Sequence, residues 1–151
     1  MHVVLVNPEI PQNTGSIART CAATGVPLHL IHPLGFDISE KRVRRAGLDY
    51  WPYVDLHEHE TWDAFCSEVK PTRVWALTKF GEVPYHQAQF SKDDSLVFGS
   101  ETKGLGANFL DSIPASNRLV IPMQCKEVRS LNLSNAVSIV VYEALKQTGM
   151  I

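Results

Sequence analysis

The side chains best suited to chemistry lie in three short stretches, residues 7–19, 99–106 and 121–135, rich in Asn, Ser, Thr, Glu, Arg and Gly. Arg19 carries a guanidinium, which stays protonated near neutrality and suits a phosphate or an oxyanion. Asn13, Ser130, Ser134 and Asn135 offer uncharged hydrogen bonds, and Glu101 a carboxylate. Singly, such clusters read as turns and helix caps. Together, each at the end of an expected strand, they read as a site, because open α/β sheets bind ligands at the carboxyl edge of their strands. A fourth stretch holds four cations in five residues, Lys41, Arg42, Arg44 and Arg45. On a helix these spread over much of the surface, an arrangement suited to phosphate contacts.

Several familiar chemistries are excluded. A dinucleotide site needs GxGxxG after the first strand, and residues 7–15 read Asn-Pro-Glu-Ile-Pro-Gln-Asn-Thr-Gly. Gly99 and Gly104 have the spacing of a phosphate loop, but Leu105 stands where its lysine belongs. Ser100 lacks the glycine placed two residues before a nucleophile-elbow serine. Cys21, Cys66 and Cys125 are far apart with no CxxC, so they read as reduced thiols. His57 and His59 have no third ligand at a recognisable spacing, so no metal is expected. Asn132-Leu133-Ser134 matches a glycosylation sequon only as a string.

The elements that must position these residues follow from periodicity. Residues 2–6 and 28–32 read as buried parallel strands, with further strands at 53–56, 74–78, 96–98 and 118–121. Asn13 or Thr14 caps a helix that runs to Thr24, and Gly25 stops it. Ser39 caps a short helix ending near Gly47. Trp62, Phe65, Cys66 and Val69 mark an amphipathic helix. A short helix covers 109–113, and the longest covers 133–147. Strand–helix alternation over the whole chain predicts one α/β domain, residues 1–151, with a mainly parallel sheet flanked by helices. In the last helix Val137, Ile139, Val140, Val141, Ala144 and Leu145 cover more than one face, so either this domain wraps it or one face meets a partner subunit, and a homodimer accounts for it more easily.

The chain has 151 residues and a formal charge of −2, which excludes a polycation or an acidic tail and leaves nucleic acid open. No run approaches the ~18 apolar residues of a membrane span, and the N-terminus has no basic region ahead of its short apolar run. A cytoplasmic protein without membrane contact is expected.

With these residues in view, a resemblance emerges. Residues 7–19, Asn-Pro-Glu-Ile-Pro-Gln-Asn-Thr-Gly-Ser-Ile-Ala-Arg, resemble the first motif of the SPOUT RNA methyltransferases. Residues 98–105, Phe-Gly-Ser-Glu-Thr-Lys-Gly-Leu, resemble the second. Ile121-Pro122-Met123 with residues 129–144 resemble the third. Arg44-Arg45-Ala46-Gly47-Leu48-Asp49-Tyr50-Trp51 is similar to the minimal TrmL/YibK-type subgroup, the tRNA (cytidine/uridine-34) 2′-O-methyltransferases. The resemblance spans the chain in order. It implies a deep C-terminal trefoil knot, a homodimer, and S-adenosylmethionine as methyl donor. It departs at Ser100, where relatives often carry proline, and in the variable loop 124–128.

The implied reaction is in-line methyl transfer to a ribose hydroxyl, which requires alignment, proton loss and oxyanion stabilisation. Leu77, Gly99, Ile121 and Ser130 carry the implied cofactor site. Met123 and Leu131 add apolar wall, Gly104 close backbone approach, and Thr78, Glu101 and Asn135 polar contacts. Arg19 is the leading catalytic and RNA-binding candidate, acting on the phosphate and the oxyanion rather than as a base. Asn13 orients the hydroxyl or Arg19, and Glu101 holds Arg19 or the loop. Ser134, with Asn132, bonds the ribose. Lys41, Arg42, Arg44 and Arg45 contact RNA, and Tyr142 belongs to the dimer. The expected substrate is the wobble nucleotide in the anticodon loop of leucine tRNAs. The alternatives are another tRNA or ribosomal RNA nucleotide, and a non-catalytic adenosylmethionine- or RNA-binding module.

Overall fold

The computed structural model describes residues 1–39 and 49–151. The segment that holds the basic cluster, and the helix expected after Ser39, lie outside the described residues. Among the described residues, seven strands form one sheet: β1 His2–Val6, β2 Leu28–Ile31, β3 Leu56–His59, β4 Arg73–Leu77, β5 Val83–Pro84, β6 Asp94–Phe98 and β7 Arg118–Val120. Their order is β3-β2-β1-β6-β4-β7-β5, and every adjacent pair is parallel. From β1 the chain builds outward to β2 and β3, then crosses to build the other half. The strand order therefore reverses beside β1, and a crevice at the carboxyl edge follows from that reversal.

Among the described residues, four helices cover the sheet: α1 Pro11–Thr24, α2 Trp62–Val69, α3 Ala107–Asp111 and α4 Leu133–Thr148. Strand alternation splits the core. Val3, Leu5, Leu28, Leu30, Leu96 and Phe98 pack with Ile17 and Cys21 of α1 and with Val137, Val140 and Val141 of α4. Val4, Val6, Ile31 and Val97 face Phe65 of α2 instead. Burial on both faces explains why β1, β2 and β6 are nearly continuous apolar runs.

Local chemistry sets most boundaries. α1 starts at Pro11 rather than Asn13, because proline pre-sets φ at the first helical position. Gly25 ends it in the left-handed region, at φ 68°. Thr61 caps α2 by accepting the Ala64 N–H at 3.1 Å. The strand expected at 53–56 is displaced. Trp51–Tyr53 form a 3₁₀ turn, and the strand is Leu56–His59, paired residue for residue with Leu28–Ile31. Strand pairing overrides local propensity there. β5 was not legible, being two residues long with a proline, as sheet edges allow.

The greasy final helix is largely absorbed by its own domain. Val137, Val140, Val141, Ala144 and Leu145 are buried, Ile139 is half-buried, and Tyr142 is 48% exposed. The Cys21 thiol is pushed up to about 12 by burial, so it is inert. Among the described residues, no helix is long and apolar enough to cross a membrane.

β1, β2 and β3 also carry a row of imidazoles. His59 Nε2 and His29 Nδ1 lie 2.9 Å apart, His29 Nε2 and His2 Nδ1 3.0 Å, and Glu68 Oε2 is 3.3 Å from His59 Nδ1. One proton on each ring satisfies both ring-to-ring hydrogen bonds. Burial, reinforced by His2, His57 and His59, lowers the pKa of His29 to about 3. The unfolded chain then binds a proton below about pH 6.5 that the folded chain refuses, so stability is full above that value and falls below it. At about 1.4 kcal/mol per pH unit, acidification to pH 5 is expected to cost roughly 2 kcal/mol through this site. Denaturant melts at pH 7.5 and pH 5 check this. A His29→Leu variant with the same acid loss as the wild type would refute it.

Candidate active site

Loops that follow β1, β4, β6 and β7 enclose a cleft of about 1240 Å³ at the carboxyl edge. Leu77 ends β4 in register with Phe98 and Leu119, which places the start of its loop between the other two. The β6 loop turns back at once. The Ser100 N–H donates to the Gly104 carbonyl at 3.2 Å, and the Gly104 N–H to the Ser100 carbonyl at 2.9 Å. Gly99 is required by this return, since a Cβ there would sit 2.1 Å from the Gly104 carbonyl carbon. Gly104, at φ 65°, takes the left-handed turn that closes the loop.

Glu101 ties this loop to the first motif. Its Oε2 accepts the Glu9 N–H at 2.8 Å, and its Oε1 accepts the Ile10 N–H and the Asn13 side-chain amide, both at 3.1 Å. Thr102 returns the link by donating its hydroxyl to the Glu9 carboxylate at 2.7 Å. Asn13 Oδ1 in turn accepts the Asn132 side-chain amide at 3.0 Å. Asn132 Oδ1 caps α4 through the Ser134 N–H at 2.9 Å and takes the Ser134 hydroxyl at 2.6 Å. One hydrogen-bonded line thus joins all three motifs, and each amide in it is held in a single orientation.

The cleft brings together Asn13, Leu77, Thr78, Gly99, Glu101, Gly104, Ile121, Met123, Ser130 and Leu131, all expected in the site. Arg19, Ser134 and Asn135 do not line it. Six residues beyond Asn13, Arg19 stands ~9 Å further along α1. It is exposed, with its guanidinium carbon 4.6 Å from the centre of the Tyr50 ring. The polar partners of Glu101 are therefore the first-motif backbone and Asn13, rather than Arg19. Ser134 is turned to the α4 cap, and Asn135 is exposed.

Other lining residues were missed. Phe80 is 69% exposed, and the Lys79 ammonium lies 5.0 Å from its ring centre. Lys103, Lys126 and Arg129 add cations to the same walls. The available signal was an exposed aromatic beside a cation just past a strand end. The role of Glu9 as the clasp for Thr102 left no trace in spacing, because its partner is 93 residues away.

The arrangement suits a ligand with an apolar flat part and several polar groups. The SpoU rRNA Methylase family model matches residues 1–142. This chain belongs to that family. A tRNA (cytidine(34)-2'-O)-methyltransferase from Saccharophagus degradans is 50% identical over 148 residues, covering 98% of this chain and 96% of that one. Its counterpart from Escherichia coli K12 is 48% identical, covering 99% and 94%. A solved structure described as giving structural insights into the 2-OH methylation of C/U34 on tRNA is 48% identical, with a TM-score of 0.91 over 97% of this chain and 94% of that one. SpoU-family membership makes this chain a methyltransferase, and its parallel α/β sheet is the fold of those structures.

Proposed function

We propose that this chain transfers a methyl group from S-adenosylmethionine to the 2′-hydroxyl of the wobble nucleotide, cytidine or modified uridine, of leucine tRNAs. The carrying observation is the Glu101–Asn13–Asn132 line, which welds three distant motifs into one cleft. Relatives near 50% identity bear the name tRNA (cytidine(34)-2'-O)-methyltransferase, which supports the choice of substrate. The deep C-terminal trefoil knot and the cytoplasmic location belong to the same reading. So does a homodimer, supported by half-buried Ile139 and exposed Tyr142 on α4.

The cleft fits the donor. Leu77, Ile121, Met123 and Leu131 offer apolar surface for an adenine, and Thr78 and Ser130 offer hydroxyls for its polar groups. When bound, S-adenosylmethionine supplies an electrophilic methyl on a sulfonium. Glu101 fixes Asn13 against the cleft wall, so Asn13 meets the incoming ribose without reorganising. Arg19, exposed on α1 and apart from the cleft wall, serves the RNA side by holding a phosphate that sets the position of the target ribose.

Incubation with bulk tRNA and labelled S-adenosylmethionine, followed by nuclease mapping and mass spectrometry, tests the reading. Label at position 34 supports it, and label elsewhere overturns the choice of nucleotide. Cofactor binding without label overturns the activity. Neutralising Arg42, Arg44 and Arg45 is expected to weaken tRNA binding and to lower the salt slope by about 3. Unchanged binding in a salt titration would remove the cluster from the RNA surface.

A further inference from the structure

A second cavity, of about 410 Å³, lies behind the β6 loop. Lys103, Gly104 and Leu105 line both it and the large cleft, so one loop separates the two. Its other wall is Asn7, Pro33 and Leu34. Both walls are held. The β6 loop is clasped to Glu9 through Thr102. The opposite wall is tied by the Gly35 N–H, which donates to the Pro8 carbonyl at 2.9 Å. A Cβ on Gly35 would lie 2.7 Å from the Glu9 Cα, so these two backbones are in direct contact. The cavity is a formed feature of the fold rather than a gap between loose loops.

Asn7 is the unusual residue here. It adopts φ 51°, a left-handed conformation that an L residue takes at a cost. Among the described residues its amide makes long contacts, 3.4 Å to each of the Ile31 and Pro33 carbonyls. Such bonds are weak and easily exchanged for better ones. The cavity therefore combines an under-used amide, the apolar faces of Pro33, Leu34 and Leu105, and the Lys103 cation. That set matches a flat heteroaromatic base with a hydrogen-bonding edge and a phosphate beside it. In the sequence, Leu34 is followed seven to eleven residues later by Lys41, Arg42, Arg44 and Arg45, cations that complement an RNA strand.

We infer that this second cavity receives the base of an RNA nucleotide next to the one being methylated. The inference rests on the proposed RNA methylation and deepens it. The donor cleft takes the target ribose, and a strand crossing the single loop between the cavities places a neighbouring base against Asn7. Asn7 reads the base edge, Pro33 and Leu34 pack on its face, and Lys103 pairs with the intervening phosphate. Selection among nucleotides thereby comes from a neighbour and not only from the methylated residue.

The test uses the full chain and synthetic anticodon stem-loop hairpins. 4-Thiouridine is placed singly on either side of the target nucleotide, and photo-crosslinked peptides are mapped by mass spectrometry. A crosslink from one flanking position to residues 7–9 or 33–35 is expected. Crosslinks confined to other segments would overturn the assignment. Asn7→Gly keeps the backbone conformation while removing the amide. It is expected to raise the KM for the hairpin about tenfold, with kcat and S-adenosylmethionine affinity unchanged. An unchanged KM, or a parallel loss of cofactor affinity, would point to a purely structural Asn7 and overturn the inference. Crosslinking reads binding rather than turnover. A hairpin that crosslinks at these residues without being methylated would overturn the activity and leave the cavity assigned. A hairpin that does not bind would overturn both.

Discussion

Gly99→Ala is expected to lose S-adenosylmethionine binding. The added methyl would sit 2.1 Å from the Gly104 carbonyl carbon and 2.3 Å from the Leu105 nitrogen. Those are backbone atoms, so no side chain can swing aside. Relief requires breaking the paired Ser100–Gly104 hydrogen bonds, which moves Glu101 away from Glu9, Ile10 and Asn13. Overpacking of this kind costs about 1–3 kcal/mol of stability. The loss of aligned cleft walls is expected to weaken cofactor affinity about a hundredfold or more. Isothermal titration calorimetry on the folded variant, with circular dichroism to confirm the fold, decides the matter. Wild-type affinity would mean that the β6 loop does not form the cofactor wall.

Arg19→Ala is expected to separate binding from chemistry. Arg19 is exposed on α1 and off the cleft wall, so removing it leaves the cofactor surface intact. Methylation is expected to fall about 10²–10³-fold, because the lost charge-assisted contacts no longer hold the target ribose in line with the methyl group. Arg19→Lys keeps the cation but not the planar fork, so it is expected to restore only a small part of the rate. Single-turnover assays beside calorimetry give both quantities. Loss of cofactor affinity together with rate would place Arg19 in the cofactor site instead.

Some of the molecule is written in local sequence because local rules govern it. Pro11 and Gly25 bracket α1, Thr61 caps α2, and apolar runs mark β1, β2 and β6. These signals act within a few residues, so they can be read without knowing the fold. The position of β3 was not legible, since its pairing with β2 outweighed the apolar pattern at 53–56. The imidazole row was hidden for the same reason. His2, His29 and His59 come from three strands, and only their register makes them neighbours.

The site divides in the same way. By itself the sequence determined the three polar stretches and the parallel α/β class, and its resemblance to the SPOUT methyltransferases named the residues from Asn13 to Leu131 that the fold brings to one cleft. The stretches and the class follow because residue type and strand-end placement are local properties. Only the tertiary structure decided which polar groups meet. Asn13 finds Asn132 across 119 residues and Glu101 across 88, and these contacts turn Glu101 into the clasp of the first motif. It also withdrew Ser134 and Asn135 from the cleft wall and set Arg19 apart from it. The physical reason is that side-chain direction depends on helix phase and loop return, and both are set by how the elements pack.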